Sequence, residues 1–543
     1  MKLSVSLATR WLVSGCLLAP GLMPCQAQAP SADAAAPSAP GAAPAAAPPR
    51  FDVLEFQVEG NTVLDVERIE RAVYPFLGEG RTIDDVESAR AALEQVYRQG
   101  GYGTVSVDIP EQKVTGGLVV LNVVEGRVSR LRVQGSRYFS QDRILAAVPA
   151  LAEGAVPHFP AVQKQLVAVN NSLDKRVTPL LRPGKEAGTT EVDLQVEDQR
   201  PFHGSVELNN QSAPNTSATR LMASLRYTNL FQLDHSAGVQ FQTSPQNTDE
   251  VKVIAGNYSI PAGSGTLVFS AVHSDSSSYV GGGIGVFGKG DVFGLRYLIP
   301  LEAAESSPGL QQSLSLGVDY KHFNQDLAVA SNTGIRTPIQ YVPFSINYSG
   351  ALSDESGVTE FGLGMSFTFR GLASHRQQFA DKRYEALSNF ALFTFNLART
   401  QKLPKDFSLY AALAGQASGQ PLVSNEQMVV GGADTVRGYL ESSQAGDTGL
   451  RGTLELRTPN LGPAESRIEL LQARAFFDAA HLRLRSPLPG SRDTYQLTSV
   501  GTGVTLKVSN GFNLKADLAW PLRDTNYQKA YEPRLHASAS YEF

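Results

Sequence analysis

The chain has 543 residues, with 47 Lys and Arg against 52 Asp and Glu and a formal net charge of −5. Its 42% hydrophobic and 18% charged residues fit a folded protein and argue against global disorder, and its length implies roughly two to four units rather than one domain. The mild acidity and the lack of a basic stripe argue against nucleic acid as a partner.

Residues 1–27 read as a secretory signal. Lys2 and Arg10 carry positive charge, Trp11, Leu12, Val13, Leu17, Leu18, Leu22 and Met23 form a short apolar core, and Cys25-Gln26-Ala27 offers a cleavage position before Gln28. Pro20 and Pro24 interrupt a run already too short to span a membrane. Cys16 and Cys25 are the only cysteines, so the processed chain is expected to have no disulfide and no thiol chemistry. No later run of 18 apolar residues predicts a membrane helix. A secreted chain of this kind spans a membrane only as a closed barrel. Residues 28–50 are a linker of Ala, Pro and Ser, which cannot build a core.

Residues 51–126 and 127–199 read as two copies of one mixed α/β unit. Phe56-Gln57-Val58-Glu59-Gly60-Asn61 returns as Leu131-Arg132-Val133-Gln134-Gly135-Ser136, and Val123-Val124-Glu125-Gly126 is echoed by Gln195-Val196-Glu197-Asp198. Each unit predicts a strand, a Gly turn, two helices and two strands. In the first, Phe51 to Val58 is a strand, and Asp65 caps a helix that runs through Tyr74 and ends at Pro75. Thr82 opens a second helix with an apolar stripe of Val86, Ala89, Leu93 and Val96, stopped by Gly100-Gly101. Thr104–Asp108 and Leu118–Val124 close the unit. The second unit repeats the order over Val128–Val133, Gln141–Val148, Pro160–Leu173, Val177–Leu181 and Glu191–Val196.

Beyond Phe202 helical periodicity disappears. Segments of roughly ten residues alternate apolar with polar or small side chains, such as Leu221–Tyr227, Val251–Tyr258, Leu314–Tyr320 and Gly362–Phe369. The last is among the clearest: Leu535, Ala537, Ala539, Tyr541 and Phe543 share one face, and His536, Ser538, Ser540 and Glu542 the other. A soluble sandwich or propeller gives similar alternation. The aromatic end of the chain and the unbroken run over 202–543 favour a membrane barrel with lipid outside and a wet lumen inside. Sixteen strands of about 10 residues leave roughly a dozen residues per connection. Gly281-Gly282-Gly283 lies among these strands without a following helix and reads as a turn, not a phosphate cradle.

Two soluble repeats before a barrel resemble the TpsB transporters of two-partner secretion, the hemolysin-activator and filamentous-hemagglutinin exporter family. The repeats look like POTRA domains, with Phe56, Val58, Gly60 and Asn61 carrying the opening pattern and Leu131, Val133 and Gly135 its echo. Gly431-Gly432-Ala433-Asp434-Thr435-Val436-Arg437-Gly438-Tyr439, followed by Gly446-Asp447-Thr448-Gly449 and Glu455-Leu456-Arg457-Thr458-Pro459, is similar to the family's V-R-G-Y motif. That motif is carried on a long loop that folds back into the barrel. Phe476-Phe477-Asp478-Ala479-Ala480 resembles F-x-D-x-G on an inward strand, with Ala480 where the family has Gly. Asn229-Leu230 with Asp234, Tyr258 to Pro261, and Trp520-Pro521-Leu522 are further echoes.

Physical chemistry reads the pair independently. Arg437 offers a fork of donors that a carboxylate grips twice. Gly438 allows a tight turn beside the contact, Tyr439 adds apolar area with one polar tip, and Asp478 is the expected acceptor, in a partly screened pair. The resemblance implies α+β POTRA repeats followed by an all-β barrel of sixteen antiparallel strands. The barrel is expected in the outer membrane, with the repeats in the periplasm. The implied partners are a secreted TpsA-type exoprotein that arrives unfolded and the outer-membrane lipid, with the transporter a monomer. No cofactor, metal or enzyme signature is expected: His-Glu-x-x-His spacing, a G-x-S-x-G elbow and a Walker loop are all missing from the sequence. Many relatives have an N-terminal plug helix, and Ala29 to Pro49 is too Pro-rich to hold one readily. An assembly factor for other barrels is the competing function, and a plain diffusion porin a third.

Overall fold

The computed structural model describes residues 49–275, 279–280, 284–285, 289–302, 307, 309–327 and 335–543. The signal, the linker up to residue 48 and Gly281-Gly282-Gly283 lie outside the described residues. The chain divides into two compact units. One takes the described residues up to Gln134 together with Leu145–Ala168 and Thr178–Leu194, and the other takes Gly135–Ile144, Val169–Val177 and Gln195–Phe543.

In the first unit, Phe51–Val53 (β1), Glu55–Glu59 (β2), Val66–Val73 (α1), Gly78–Arg81 (β3), Ile83–Gln99 (α2), Val105–Asp108 (β4) and Leu118–Glu125 (β5) build the first repeat. The sheet order is β2-β5-β4, with β2 parallel to β5. The strand expected over 51–58 is broken at Leu54, because the amides of Leu54 and Glu55 both donate to Gly117 O at 2.8 and 3.1 Å. β1 is thereby freed to pair with β3, a strand the sequence did not predict. Pro75 does not end the first helix directly. It sits in a 3-10 turn over Tyr74–Phe76, where its missing amide costs nothing. Asp65 occupies the N-cap position of α1 without a capping bond from its side chain. Asn61 closes the preceding turn instead, accepting from Leu64 N at 3.1 Å and donating to Leu64 O at 2.9 Å.

α2 starts as its sequence requires. The backbone amide and hydroxyl of Thr82 donate to Asp85 Oδ2 at 2.8 and 3.0 Å, and Gly101 takes the left-handed φ of +87° past the C-terminus. Its buried stripe is Val86, Ala89, Leu93 and Tyr97. Tyr97 replaces the expected Val96 as the last fully buried position, and its hydroxyl donates to Asn61 Oδ1 at 2.6 Å.

Arg127–Gln134 (β6), Gln141–Ala146 (α3), Phe159–Val169 (α4), Lys175–Pro183 (β7) and Thr189–Asp198 (β8) repeat the plan, with sheet order β6-β8-β7. α4 stops before the expected Leu173, because the Asn170 side chain pairs with both backbone groups of Val177 at 2.7 and 2.9 Å.

The equivalent glycines set the register of the repeats. Gly60 (φ +86°) and Gly135 (φ +90°) lie so close to a neighbouring strand that a Cβ would sit 2.3 Å from Val123 O and 2.4 Å from Val196 O. In the first unit, Glu125 accepts from Thr62 N at 2.5 Å and Val63 N at 3.2 Å. In the second, Asp198 accepts from the amides of Arg137, Tyr138 and Phe139 at 2.7–3.2 Å. The true counterpart of Glu125 is therefore Asp198. The sequence echo, which set Glu125 against Glu197, is one residue out.

The second unit contains a closed antiparallel barrel of sixteen strands among the described residues. They are Phe202–Asn209 (β9), Arg220–Leu230 (β10), His235–Thr243 (β11), Lys252–Ala262 (β12), Gly265–Asp275 (β13), Lys289–Leu301 (β14), Leu310–Leu327 (β15) and Ile335–Asp354 (β16). Gly357–Ala373 (β17), Ala391–Lys402 (β18), Ser408–Ser418 (β19), Thr448–Arg457 (β20), Ile468–Arg483 (β21), Thr494–Val508 (β22), Phe512–Pro521 (β23) and Arg534–Glu542 (β24) follow. β24 closes on β9 from Ser538↔Asn209 to Glu542↔Ser205, and the Asn210 side chain extends the seam by bonding Leu535 O at 2.7 Å and Ala537 N at 2.9 Å. Closure leaves no edge strand to template aggregation. The pleat separates the two faces. Phe477 is 44% exposed on the outer wall, whereas its neighbours Phe476 and Asp478 point inward and are buried. Among the described residues no helix is long and apolar enough to cross a membrane.

Candidate functional site

The connection between β19 and β20, residues 419–447, runs into the barrel and carries Val436, Arg437, Gly438 and Tyr439. Two short strands, Met428–Val430 and Gln444–Gly446, pair with each other and stiffen its base. Its apolar contacts come from sequence positions that share one face. Val436 and Tyr439 are fully buried with Val430, Ala480, Leu482 and Leu497. Ala480 stays in regular strand pairing with Arg451 and Leu497, so the family's glycine is not needed for local backbone geometry here. Its methyl instead fills this cluster.

Arg437 and Asp478 meet as a two-pronged pair. Nε donates to Oδ2 at 2.7 Å, Nη2 to Oδ1 at 2.8 Å, and the Arg437 backbone amide to Oδ2 at 3.1 Å. The third nitrogen, Nη1, donates to Glu455 Oε1 at 2.7 Å, and the guanidinium carbon lies 3.4 Å from the centre of the Phe476 ring. The alternation of β21 puts Phe476 and Asp478 on the same inward face, so one strand supplies both the carboxylate and the stacking platform. The side chains of Arg437 and Asp478 are 5% and 0% exposed. The pair is thus buried, not partly screened as expected, and protein groups have replaced its water.

Gly438 holds φ +92°, and a Cβ there would lie 3.2 Å from Pro521 N. The turn it permits directs its amide to His536 Nε2 at 2.9 Å. The Tyr439 hydroxyl lies 3.0 Å from both Thr498 O and Arg523 O. The loop tip therefore touches β20, β21, β22, β23 and β24. Sequence reasoning missed Glu455 and His536 as partners. Glu455 lay inside a quoted motif and His536 on the polar face of the last strand, so each had a signal for facing inward but none for which loop atom it meets.

A second clamp was also missed. Arg383, in the connection before β18, donates to Asp447 through Nη1 and Nη2 at 2.5 and 2.7 Å. Asp447 further accepts from Leu422 N at 2.9 Å, Gln427 Nε2 at 3.0 Å and Arg485 N at 2.6 Å. Donors from four residues thus replace the water this fully buried carboxylate would otherwise bind.

The repeat motif residues serve the fold of their own repeats. Phe56 and Val58 pack at the margin of the first core from β2, and Leu131 and Val133 are half-buried on β6. Gly60, Asn61 and Gly135 make the turns described above. Among the further echoes, Asp234 binds Lys175 Nζ at 2.7 and 2.8 Å, and Asn229 is buried beside the same turn.

The chain matches the family model described as haemolysin secretion/activation protein ShlB/FhaC/HecB over residues 188–295 and 309–507, and that described as POTRA domain, ShlB-type, over 51–126. It is 22% identical over 506 residues to the heme/hemopexin transporter protein HuxB of Haemophilus influenzae, covering 89% of this chain and 85% of that one. To the outer membrane transporter CdiB of Dickeya dadantii it is 23% identical over 413 residues, with 74% and 71% covered. The solved structure of CdiB from Escherichia coli superposes with a TM-score of 0.66 at 20% identity over 93% of each chain. BamA from Haemophilus ducreyi lacking POTRA domains 1–3 gives 0.54 at 14% identity, over 91% of this chain and 100% of that one. At these identities the structural likenesses speak for the fold alone.

Proposed function

Because the chain belongs to the haemolysin secretion/activation protein family ShlB/FhaC/HecB, the TpsB transporters of two-partner secretion, we propose that it exports one large partner exoprotein, received unfolded on the periplasmic repeats and threaded through the barrel. It is an outer-membrane transporter whose N-terminal repeats lie in the periplasm, and its family works with secreted exoproteins. The finer steps are our reading. We divide the chain into POTRA domains at 51–126 and 127–199 and a barrel at 202–543, acting as a monomer in outer-membrane lipid.

Transport of this kind needs no cofactor and has no nucleotide in the periplasm to drive it. The client's folding outside prevents its return. An extended client adds to short sheet edges, and the order β2-β5-β4 leaves β2 and β4 as edges. The observation that carries the gating role is the buried Arg437–Asp478 pair at the tip of a loop inside the barrel. Docking strips water from two charges, so most of the attraction between them offsets lost hydration. When the loop swings into a wet lumen, both charges regain that water. Release therefore costs less than the direct attraction between the two charges implies, although the docked geometry is specific.

The test is secretion of the partner by cells carrying Arg437→Ala or Asp478→Ala, with assembly of the barrel followed in the same cells. Export is expected to fall while the barrel remains assembled, and normal export by both variants would refute the gating role. Deleting the whole protein separates export from barrel assembly: export predicts loss of one secreted protein, assembly a broad loss of outer-membrane proteins.

A further inference from the structure

Residues 374–390, between β17 and β18, also enter the barrel and carry a short helix, Arg376–Lys382 (α5). Phe379 on α5 is fully buried, with its ring centre 5.6 Å from that of Tyr341 on β16, and Phe390 meets the same ring at 6.0 Å. Val253, Val272, Phe323, Ile339 and Leu392, from inner strand faces, complete one apolar cluster with Leu422 and Val423 of the 419–447 loop. That these strand residues face inward follows from their neighbours: Ile254 and Phe393 are large, apolar and exposed on the outer wall. A dry apolar cluster inside a barrel is an obstruction, since a conducting lumen is polar and wet.

The two loops are also tied by charge. Besides its bonds to Asp447, Arg383 donates to Leu422 O at 2.6 Å and Arg485 O at 2.9 Å. Glu426 of the 419–447 loop accepts from Tyr341 Oη at 2.7 Å and Lys321 Nζ at 2.6 Å, on the wall against which Phe379 packs. Neither loop can leave without breaking contacts of the other.

We propose that residues 374–390 are a second plug of the translocation path, and that Arg383–Asp447 is the latch coupling their withdrawal to that of the 419–447 loop. This rests on the export reading above. Arg383 is a positioning residue, acting through the loop it holds.

The test uses the full-length protein in planar lipid bilayers, where conductance needs no client. Arg383→Ala and Phe379→Ala are expected to raise the time-averaged conductance over the unsubstituted protein, with Arg383→Lys intermediate. Unchanged conductance in assembled barrels of both Ala variants overturns the plug. A locking variant guards against misfolding: Tyr341→Cys with Phe379→Cys, joined by a short reducible thiol crosslinker. Export is expected to stop when the link is closed and to return on reduction. Undiminished export through a closed link overturns the proposal. Raised bilayer conductance of the Ala variants, together with no loss of a secreted partner when cells lack the protein, upholds the plug and refutes export alone.

Discussion

Asp478→Ala isolates the anchor of the 419–447 loop. The substitution removes the acceptor of two guanidinium bonds and one backbone amide, leaving Arg437 almost fully buried. Breaking a buried pair from one side costs about 3–5 kcal/mol. The lower end applies, because Glu455 still holds Nη1 and Phe476 still stacks beneath the guanidinium. Undocked, Arg437 is hydrated in either protein, so the whole cost falls on the docked state. About 3 kcal/mol shifts the docked-to-undocked ratio by roughly a hundredfold. Trypsin reads that ratio at Arg437 itself, a bond it reaches only when the loop is out. With opening and closing fast relative to cleavage, the rate follows the open population. Mass spectrometry of the reconstituted barrel should then show the cut after Arg437 appearing about a hundredfold faster in the variant. A rate within about threefold of the unsubstituted protein would refute the claim that this pair holds the loop.

Gly438→Ala forces an L side chain to a left-handed φ of +92° beside Pro521. At a cost of about 1–2 kcal/mol, the same tryptic cut should appear roughly tenfold faster. Glu125→Ala and Asp198→Ala each strip a turn of its acceptor. Hydrogen exchange should accelerate at Thr62 and Val63 in the first variant and at Arg137, Tyr138 and Phe139 in the second, by the equivalent of about 1–3 kcal/mol. The Thr82 amide and hydroxyl hold the Asp85 carboxyl below its ordinary value of 3.8. Its stabilisation of α2 is therefore complete above 3.8 and is lost as pH falls through the depressed value. Exchange of α2 amides should rise across that acid range, and Asp85→Asn should flatten the rise.

Residues near one another in sequence were the legible part. The Thr82 cap, the 3.6-residue stripe of α2 and the Gly101 stop are all local, and α2 follows them to within a residue. The exception, Tyr97 for Val96, arises because the stripe locates a face, whereas the depth of each side chain depends on what packs opposite it. β1 shows the same limit. Its alternation continues past Leu54, and only Gly117, far along the chain, diverts the backbone there.

By itself the sequence determined the alternation that separates an apolar outer wall from a polar lumen and the repeated Gly turns, because each depends on a period of two or on a local backbone requirement, whereas the inward aim of Asp478 was implied by the resemblance of its segment to the family's F-x-D-x-G motif. Only the tertiary structure decided that Arg437 also meets Glu455, that Gly438 donates to His536 on the last strand, and that Arg383 finds Asp447. Those meetings depend on how sixteen strands stagger when they close. Among these three meetings the stagger brings together atoms as far as 98 residues apart, and no local pattern of side chains encodes which inward group stands opposite which loop atom.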